Sequence, residues 1–269
     1  MESDQMLSLL IHGARGSVPA TGKKFSKYGG NTTCFEIETE DSRIFVDAGT
    51  GFSSANIDED KKKVSLLFTH LHHDHLQGLL FNPGLFARKQ EIIVSSALMT
   101  GATLKKYLAE YFSPPFFPPN VFSYANCLNF VDFDHFIMEK SPHLVVQSIG
   151  LKHPGGAFGY SFKSGSKKIV IMLDNEFDTD KECDLLGFCE NADILLWDGM
   201  YTNEEITNKK GWGHSTVEQA IYFTRKSTVK KTVICHHSPT RSDDEIDTMR
   251  ANMTGKNVEF GIEGTKFCL

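Results

Sequence analysis

The stretch Val64-Ser65-Leu66-Leu67-Phe68-Thr69-His70-Leu71-His72-His73-Asp74-His75 runs from an apolar strand straight into a turn that holds four imidazoles and a carboxylate. A single surface histidine is usually solvated or satisfied, whereas four within six residues at one strand end point to a metal site. Neutral imidazole and carboxylate oxygen suit divalent ions such as zinc and manganese, and a turn can aim several side chains into one cavity. Outward from this turn, SLLIHGARGS (8–17), TTCFEIETE (32–40) and SRIFVDAGTG (42–51) read as short strands, and EIIVSSA (91–97) separates two helical candidates. LQGLLFNPGLFA (76–87) and MTGATLKKYLAEYF (99–112) are predicted helices, while the proline-rich SPPFFPPNVFSY (113–124) is an apolar loop able to cover something. The second half repeats the theme, with strands at 144–153, 158–165, 167–174, 193–199, 230–237 and 258–263 and helices at 180–188, 215–227 and 242–253. Two β-rich halves, each carrying helices, predict two packed sheets with helices outside.

The 269 residues, 40% of them hydrophobic, suffice for a substantial core, and one domain over 1–269 is the better count. Lys plus Arg (28) less Asp plus Glu (34) gives −6, a balance without the basic face that a long nucleic acid demands, so a compact substrate is favoured. The start MESDQMLSLLIHG has no basic region before its apolar run, and no stretch has the roughly 18 apolar residues of a membrane span, so a cytoplasmic protein with no membrane partner is expected. Six scattered cysteines without CxxC spacing read as small buried hydrophobes in a reducing compartment. The charged run EDKKK (59–63) reads as a solvated hairpin.

The pattern HxHxDH at His70, His72, Asp74 and His75 resembles the metal-binding signature of the metallo-β-lactamase superfamily. IFVDAGTG with Asp47, LKHPGGAFGY with His153, VIMLDNE with Asp174 and VICHHSP with His236 resemble its further motifs in order along the chain. HGARGSVPA, KYGGNTTC, KGWGHST and HHSPTRSDDE are similar to the subgroup that holds ribonuclease Z, class II cyclic nucleotide phosphodiesterases and phosphoribosyl cyclic-phosphate phosphodiesterases. The resemblance implies an α+β fold, the αββα four-layer sandwich, and two divalent ions, zinc or alternatively manganese or iron. It implies that His70, His72 and His153 hold one ion and Asp74, His75 and His236 the other, with Asp174 between them. A water deprotonated between the ions would then be the nucleophile, with Asp74 also orienting it or taking its proton.

His214, in Gly213-His214-Ser215-Thr216, is the candidate for protonating the leaving oxygen, with Asp198 fixing its tautomer; the plain alternative is an N-cap turn with an incidental histidine. Ser215 and Thr216 can cap the following helix, whose N-terminus favours a phosphate. Strand alternation puts His236 and His237 on opposite faces, and only the family's pattern selects His236. His73 reads as a rim residue, His12, His135 and His143 as structural, and Asp47 as an acceptor for the turn's backbone or for a ligand imidazole. Arg15 reads either as a phosphate clamp beside Gly29, Gly30 and Asn31 or as a surface ion pair.

The expected function is hydrolysis of a small cyclic or linear phosphodiester, with nucleotides the expected ligands, no stable nucleic-acid partner, and homodimerisation common in the resembling subgroup. Ribonuclease Z grips transfer RNA with an arm inserted between the third ligand motif and the bridging aspartate, and only 21 residues separate His153 from Asp174 here. The alternatives are a ribonuclease Z-like endoribonuclease, a thioesterase or lactamase-type hydrolase, and a non-catalytic nucleotide-binding protein.

Overall fold

The computed structural model describes residues 6–57, 62–118, 121–139, 143–253 and 257–269. Residues 59–61 of the charged run and 119–120 of the aromatic loop therefore lie outside the described residues. Strands β1 (Ser8–Gly13), β2 (Cys34–Glu38), β3 (Ser42–Val46), β4 (Lys63–Phe68), β5 (Ile92–Ser96) and β6 (Leu128–Phe130) form one sheet, with β13 (Lys266–Cys268) added beside β1. The other sheet contains β7 (Leu144–Leu151), β8 (Ala157–Ser164), β9 (Lys167–Met172), β10 (Ile194–Asp198), β11 (Lys231–Cys235) and β12 (Val258–Phe260). Each sheet is antiparallel at one end and parallel at the other: β3 to β6 run parallel in the first, and β9 to β12 in the second.

Period-two alternation explains the layers. Ile44 and Val46 of β3, Ile169 and Ile171 of β9, and Ile194 and Leu196 of β10 fill the core between the sheets. The intervening Phe45 faces a second core with Leu104 and Leu108 of the helix Gly101–Tyr111. Val170, Met172, Leu195 and Trp197 face a third core with Ala220 and Phe223 of the helix Val217–Lys226. Central strands buried on both faces sit between helical layers, and the αββα sandwich expected from the sequence results.

Several local expectations are corrected. Residues 76–87 do not form one helix, because the chain at Gly78 passes against Gly49, whose carbonyl oxygen would lie 1.9 Å from a Cβ. The segment divides into a 3-10 turn at Leu79–Phe81 and the short helix Pro83–Ala87, capped by Asn82. Val121–Tyr124 is helical inside the expected loop, and the three-residue strands β6 and β13 and the helix Phe133–Glu139 were not foreseen, being too short or irregular to carry a period. All six cysteines are free thiols, but Cys183 and Cys268 are exposed rather than buried. Among the described residues, no helix is long and apolar enough to cross a membrane.

Candidate metal centre

The carboxyl ends of parallel strands are where an open α/β sheet leaves room for ligands. Here β3 delivers Asp47, β4 the histidine turn, β9 Asp174, β10 Asp198 and β11 His236, and His153 follows β7 two residues on. The ligand-type atoms of His70, His72 and His153 lie within 4.8 Å of one another, and so do those of Asp74, His75 and His236. Asp174 sits between the two groups. Its Oδ1 is 3.8 Å from Nε2 of both His70 and His153 and 3.3 Å from His236 Nε2, and its Oδ2 is 3.3 Å from His75 Nε2. The structure thus brings together all seven residues singled out as ligands.

Strained backbone aims these side chains. Among the described residues, five non-glycine residues have positive φ, and three of them are Asp47 (63°), Asp174 (53°) and His236 (57°). A fourth, Ser17 (64°), turns its amide toward the site and donates to Asp74 Oδ2 at 2.7 Å. Such conformations persist only where the surroundings over-determine them. At His236 this break in the strand conformation settles the ambiguity left by alternation. His236 enters the site, while His237 packs inside, bonded through Nε2 to the Gly261 carbonyl at 2.9 Å. Burial lowers the His237 imidazole to about 3.

Each buried imidazole is oriented through its other nitrogen. Nδ1 of His75 meets Asp47 Oδ2 at 2.8 Å, Nδ1 of His153 the Gly213 carbonyl at 2.8 Å, Nδ1 of His236 the Thr33 hydroxyl at 3.2 Å, and Nδ1 of His70 the Thr69 hydroxyl at 3.1 Å. Asp47 also accepts from the Thr69 amide and hydroxyl, both at 2.8 Å, so it serves the turn backbone and a ligand imidazole together. This is the outer-shell support that metal ligands require. The Nε2 atoms of His70, His75 and His236 and Oδ2 of Asp174 are buried without a hydrogen-bond partner. Buried polar atoms left unpaired are costly, and four converging on one spot fit divalent cations as their partners. Burial above all lowers the basicity of His70, His72 and His153, which favours their neutral forms. His75 is raised, because Asp174, Asp74 and Asp47 outweigh the cost of its burial.

His214 stands at the edge of this cluster, its ring stacked on His236 with centroids 5.0 Å apart. Nδ1 is 2.8 Å from Asp198 Oδ2 and 3.9 Å from Asp174 Oδ1. Asp198 is fully buried and anchored by accepting the Met200 amide at 2.9 Å. Burial opposes charge on His214, but Asp198 and then Asp174 raise it to about 9. Thr216 caps the helix Val217–Lys226 in a capping box with Gln219. Ser215 does not cap; its hydroxyl donates to the Asn175 carbonyl. The helix N-terminus is also not free for a phosphate, since the Val217 amide goes to the Tyr201 carbonyl and that of Gln219 to Thr216.

Gly213 is required on the protein's own account. With φ +85° and a hypothetical Cβ 2.2 Å from His153 Nδ1, it allows the loop to approach that ring. Glu176, which the sequence reading missed, fixes the loop by accepting the Gly211 and Gly213 amides at 2.6 and 3.2 Å. Gly213→Ala is expected to displace His153 and lower bound metal after reconstitution. Elemental analysis equal to wild type would show that the close approach is dispensable.

Arg15 is neither clamp nor surface residue. Its guanidinium is 0% exposed and donates to the carbonyls of Gly29, Ser238 and Arg241 at 2.8, 3.1 and 2.7 Å, with Asp243 at 3.6 Å. It ties the Gly29–Gly30 turn to the loop after His236. Arg15→Met is expected to cost about 3–5 kcal/mol, because buried acceptors and a carboxylate lose their partner. A urea unfolding midpoint close to wild type would contradict that role. His12 bonds Glu36 through Nε2 at 2.8 Å, His73 is exposed and bonds the Tyr111 hydroxyl, and His135 and His143 are exposed away from the cluster. Asn31 donates to Glu263 from both its amides.

Residues 42–237 match the family model described as a beta-lactamase superfamily domain. The ribonuclease Z of Clostridium perfringens is 23% identical over 96% of this chain and 97% of its own length. The metallo-beta-lactamase fold protein YhfI from Bacillus subtilis has a TM-score of 0.73 at 14% identity, covering 99% of this chain and 100% of that one. A diphosphatase from the PhnP family has a TM-score of 0.69 at 16% identity, covering 97% of each chain.

Proposed function

The chain belongs to the beta-lactamase superfamily, and from that premise we propose that it is a metal-dependent phosphodiesterase acting on a small cyclic or linear phosphodiester such as a nucleotide. The observation that carries this reading is the pair of ligand groups with Asp174 between them and the His214–Asp198 pair beside them. His70, His72 and His153 would hold one divalent ion, Asp74, His75 and His236 the other, and Asp174 both. Bound there, zinc, manganese or iron would supply a nucleophile from water and offset the charge of an in-line displacement. Both sheets contribute to this site, which supports reading 1–269 as one domain.

The chain's own groups divide the remaining work. Asp74, held by the Ser17 amide and with Oδ2 3.4 Å from His75 Nε2, can orient the attacking water. In its protonated form, which Asp198 and Asp174 favour, His214 donates Nδ1–H to Asp198 and carries its second proton on Nε2, so it can protonate the departing oxygen. The buried Asp198 holds the ring's tautomer and orientation and touches no reacting atom.

A second reading, ribonuclease Z-like cleavage of transfer-RNA precursors, is favoured by the similarity to the Clostridium perfringens enzyme along nearly the whole chain. Against it, 157–172 is filled by β8 and β9 and the turn joining them, and the net charge is −6. The deciding experiment is turnover by the metal-loaded protein of bis(p-nitrophenyl) phosphate and a panel of cyclic nucleotides, beside a transfer-RNA precursor. Hydrolysis of the small diesters and weak transfer-RNA binding at physiological salt are expected; efficient precursor cleavage with inert small diesters would reverse the order of the two readings.

A further inference from the structure

On the His73 side of the histidine turn is a cavity of about 730 Å³ that the chemistry above leaves unused. Phe81, Phe112, Phe116, Phe117 and Tyr111 make its apolar wall. Phe116 is 83% exposed and Phe81 63%, an aromatic surface of the kind that marks a binding site. The rings of Phe81 and Phe112 each meet Phe117 edge to face, at centroid distances of 5.9 and 5.2 Å. Thr50, Ser53, His73 and Gln77 make the polar part of the lining, which among the described residues includes no lysine, arginine or carboxylate.

This cavity is continuous with the metal-ligand turn. His73 lies between His72 and Asp74 in the chain, and its Nδ1 bonds the Tyr111 hydroxyl, which couples the aromatic wall to that turn. Gln77 donates to the Thr32 hydroxyl at 3.3 Å, and the neighbouring Thr33 orients His236. A phosphate has no lysine or arginine partner among the described lining residues, and a hydrocarbon chain would leave unused the hydrogen-bonding capacity that the Gln77 amide and the Thr50 and Ser53 hydroxyls keep beyond their bonds to the Thr32 hydroxyl, the Thr32 amide and the Thr50 carbonyl. A planar heteroaromatic ring has a π face for the phenylalanines and hydrogen-bonding atoms on its edge, and the volume lies within the roughly 300–1,000 Å³ of small-molecule sites.

We propose that this cavity receives the nucleobase carried by one arm of the phosphodiester, stacked on Phe81 and Phe116 and read along its edge by Gln77, Thr50 and Ser53. This rests on the phosphodiesterase reading, and it adds that the substrate is a nucleotide whose base is bound apart from its phosphate.

The test compares two substrates with the same reacting group: an adenosine cyclic phosphate, 2′,3′ or 3′,5′, and the corresponding methyl riboside cyclic phosphate, which lacks the base. For the metal-loaded wild type, kcat/KM should be at least about tenfold higher with the base present. Phe81→Ala and Phe116→Ala, both at exposed positions, should each lower kcat/KM for the adenosine substrate about 5- to 100-fold, through KM, and leave the methyl riboside unchanged. No preference for the base, or equal losses on both substrates, would overturn the proposal. If wild type hydrolyses neither, the phosphodiesterase reading has failed and the cavity is judged by calorimetry with adenosine 5′-monophosphate against ribose 5-phosphate. Tighter binding of the former that Phe81→Ala abolishes sustains the pocket; equal affinities overturn it.

Discussion

Asp174→Ala should leave at most about one tightly held divalent ion per chain where wild type, loaded with zinc or manganese, holds about two. Among the carboxylates of the described residues, Asp174 is the one that faces both ligand groups, with Oδ1 toward His70, His153 and His236 and Oδ2 toward His75. Without it, each triad must hold an ion unaided, and the ion's charge loses the one anion placed between the two sites. The carboxylate suits that role, since His236, His75 and His70 overcome the cost of its burial and hold it well below the usual range. Elemental analysis after exhaustive dialysis is the measurement, with circular dichroism to confirm the fold. Unchanged occupancy would remove Asp174 from the ligand set, and a wild type that takes up no metal would remove the whole assignment.

His214→Ala should lower turnover about 100- to 10,000-fold, the usual worth of one acid or base group, with metal content unchanged. With Nδ1 donating to Asp198 at 2.8 Å, Nε2 is the atom that gains and gives up the ring's second proton, and His214 belongs to neither of the two proposed ligand triads. The loss should be smaller for esters of p-nitrophenol, whose anion leaves without a proton, than for esters of ordinary alcohols. Equal losses on both would assign His214 to phosphate positioning instead. Loss of an ion would make it a ligand, which its grouping with His153 and Asp174 within 4.8 Å would explain.

The sequence by itself determined the layers and the cluster of candidate ligands at the histidine turn. Period-two alternation in strands such as IFV (44–46) and IVIM (169–172) commits alternate residues to the central core and an outer core, and that pattern is local. The histidine turn is equally local, four imidazoles being crowded by chain connectivity alone. What only the tertiary structure decided depends on contacts between residues far apart in the chain. Left-handed backbone at His236 selects one imidazole of the His236–His237 pair, and no periodicity encodes such a break. Arg15 became an internal tie because the turn at Gly29 and the loop carrying Ser238 and Arg241 come together only on folding, and their carbonyls outbid solvent for its guanidinium. Gly213 proved to be space for His153, 60 residues away. The aromatic cavity was half legible. The loop rich in phenylalanine and proline announced an apolar cover, but its polar wall comes from Thr50, Ser53, His73 and Gln77, which the packing of the 3-10 turns against that loop alone brings opposite it.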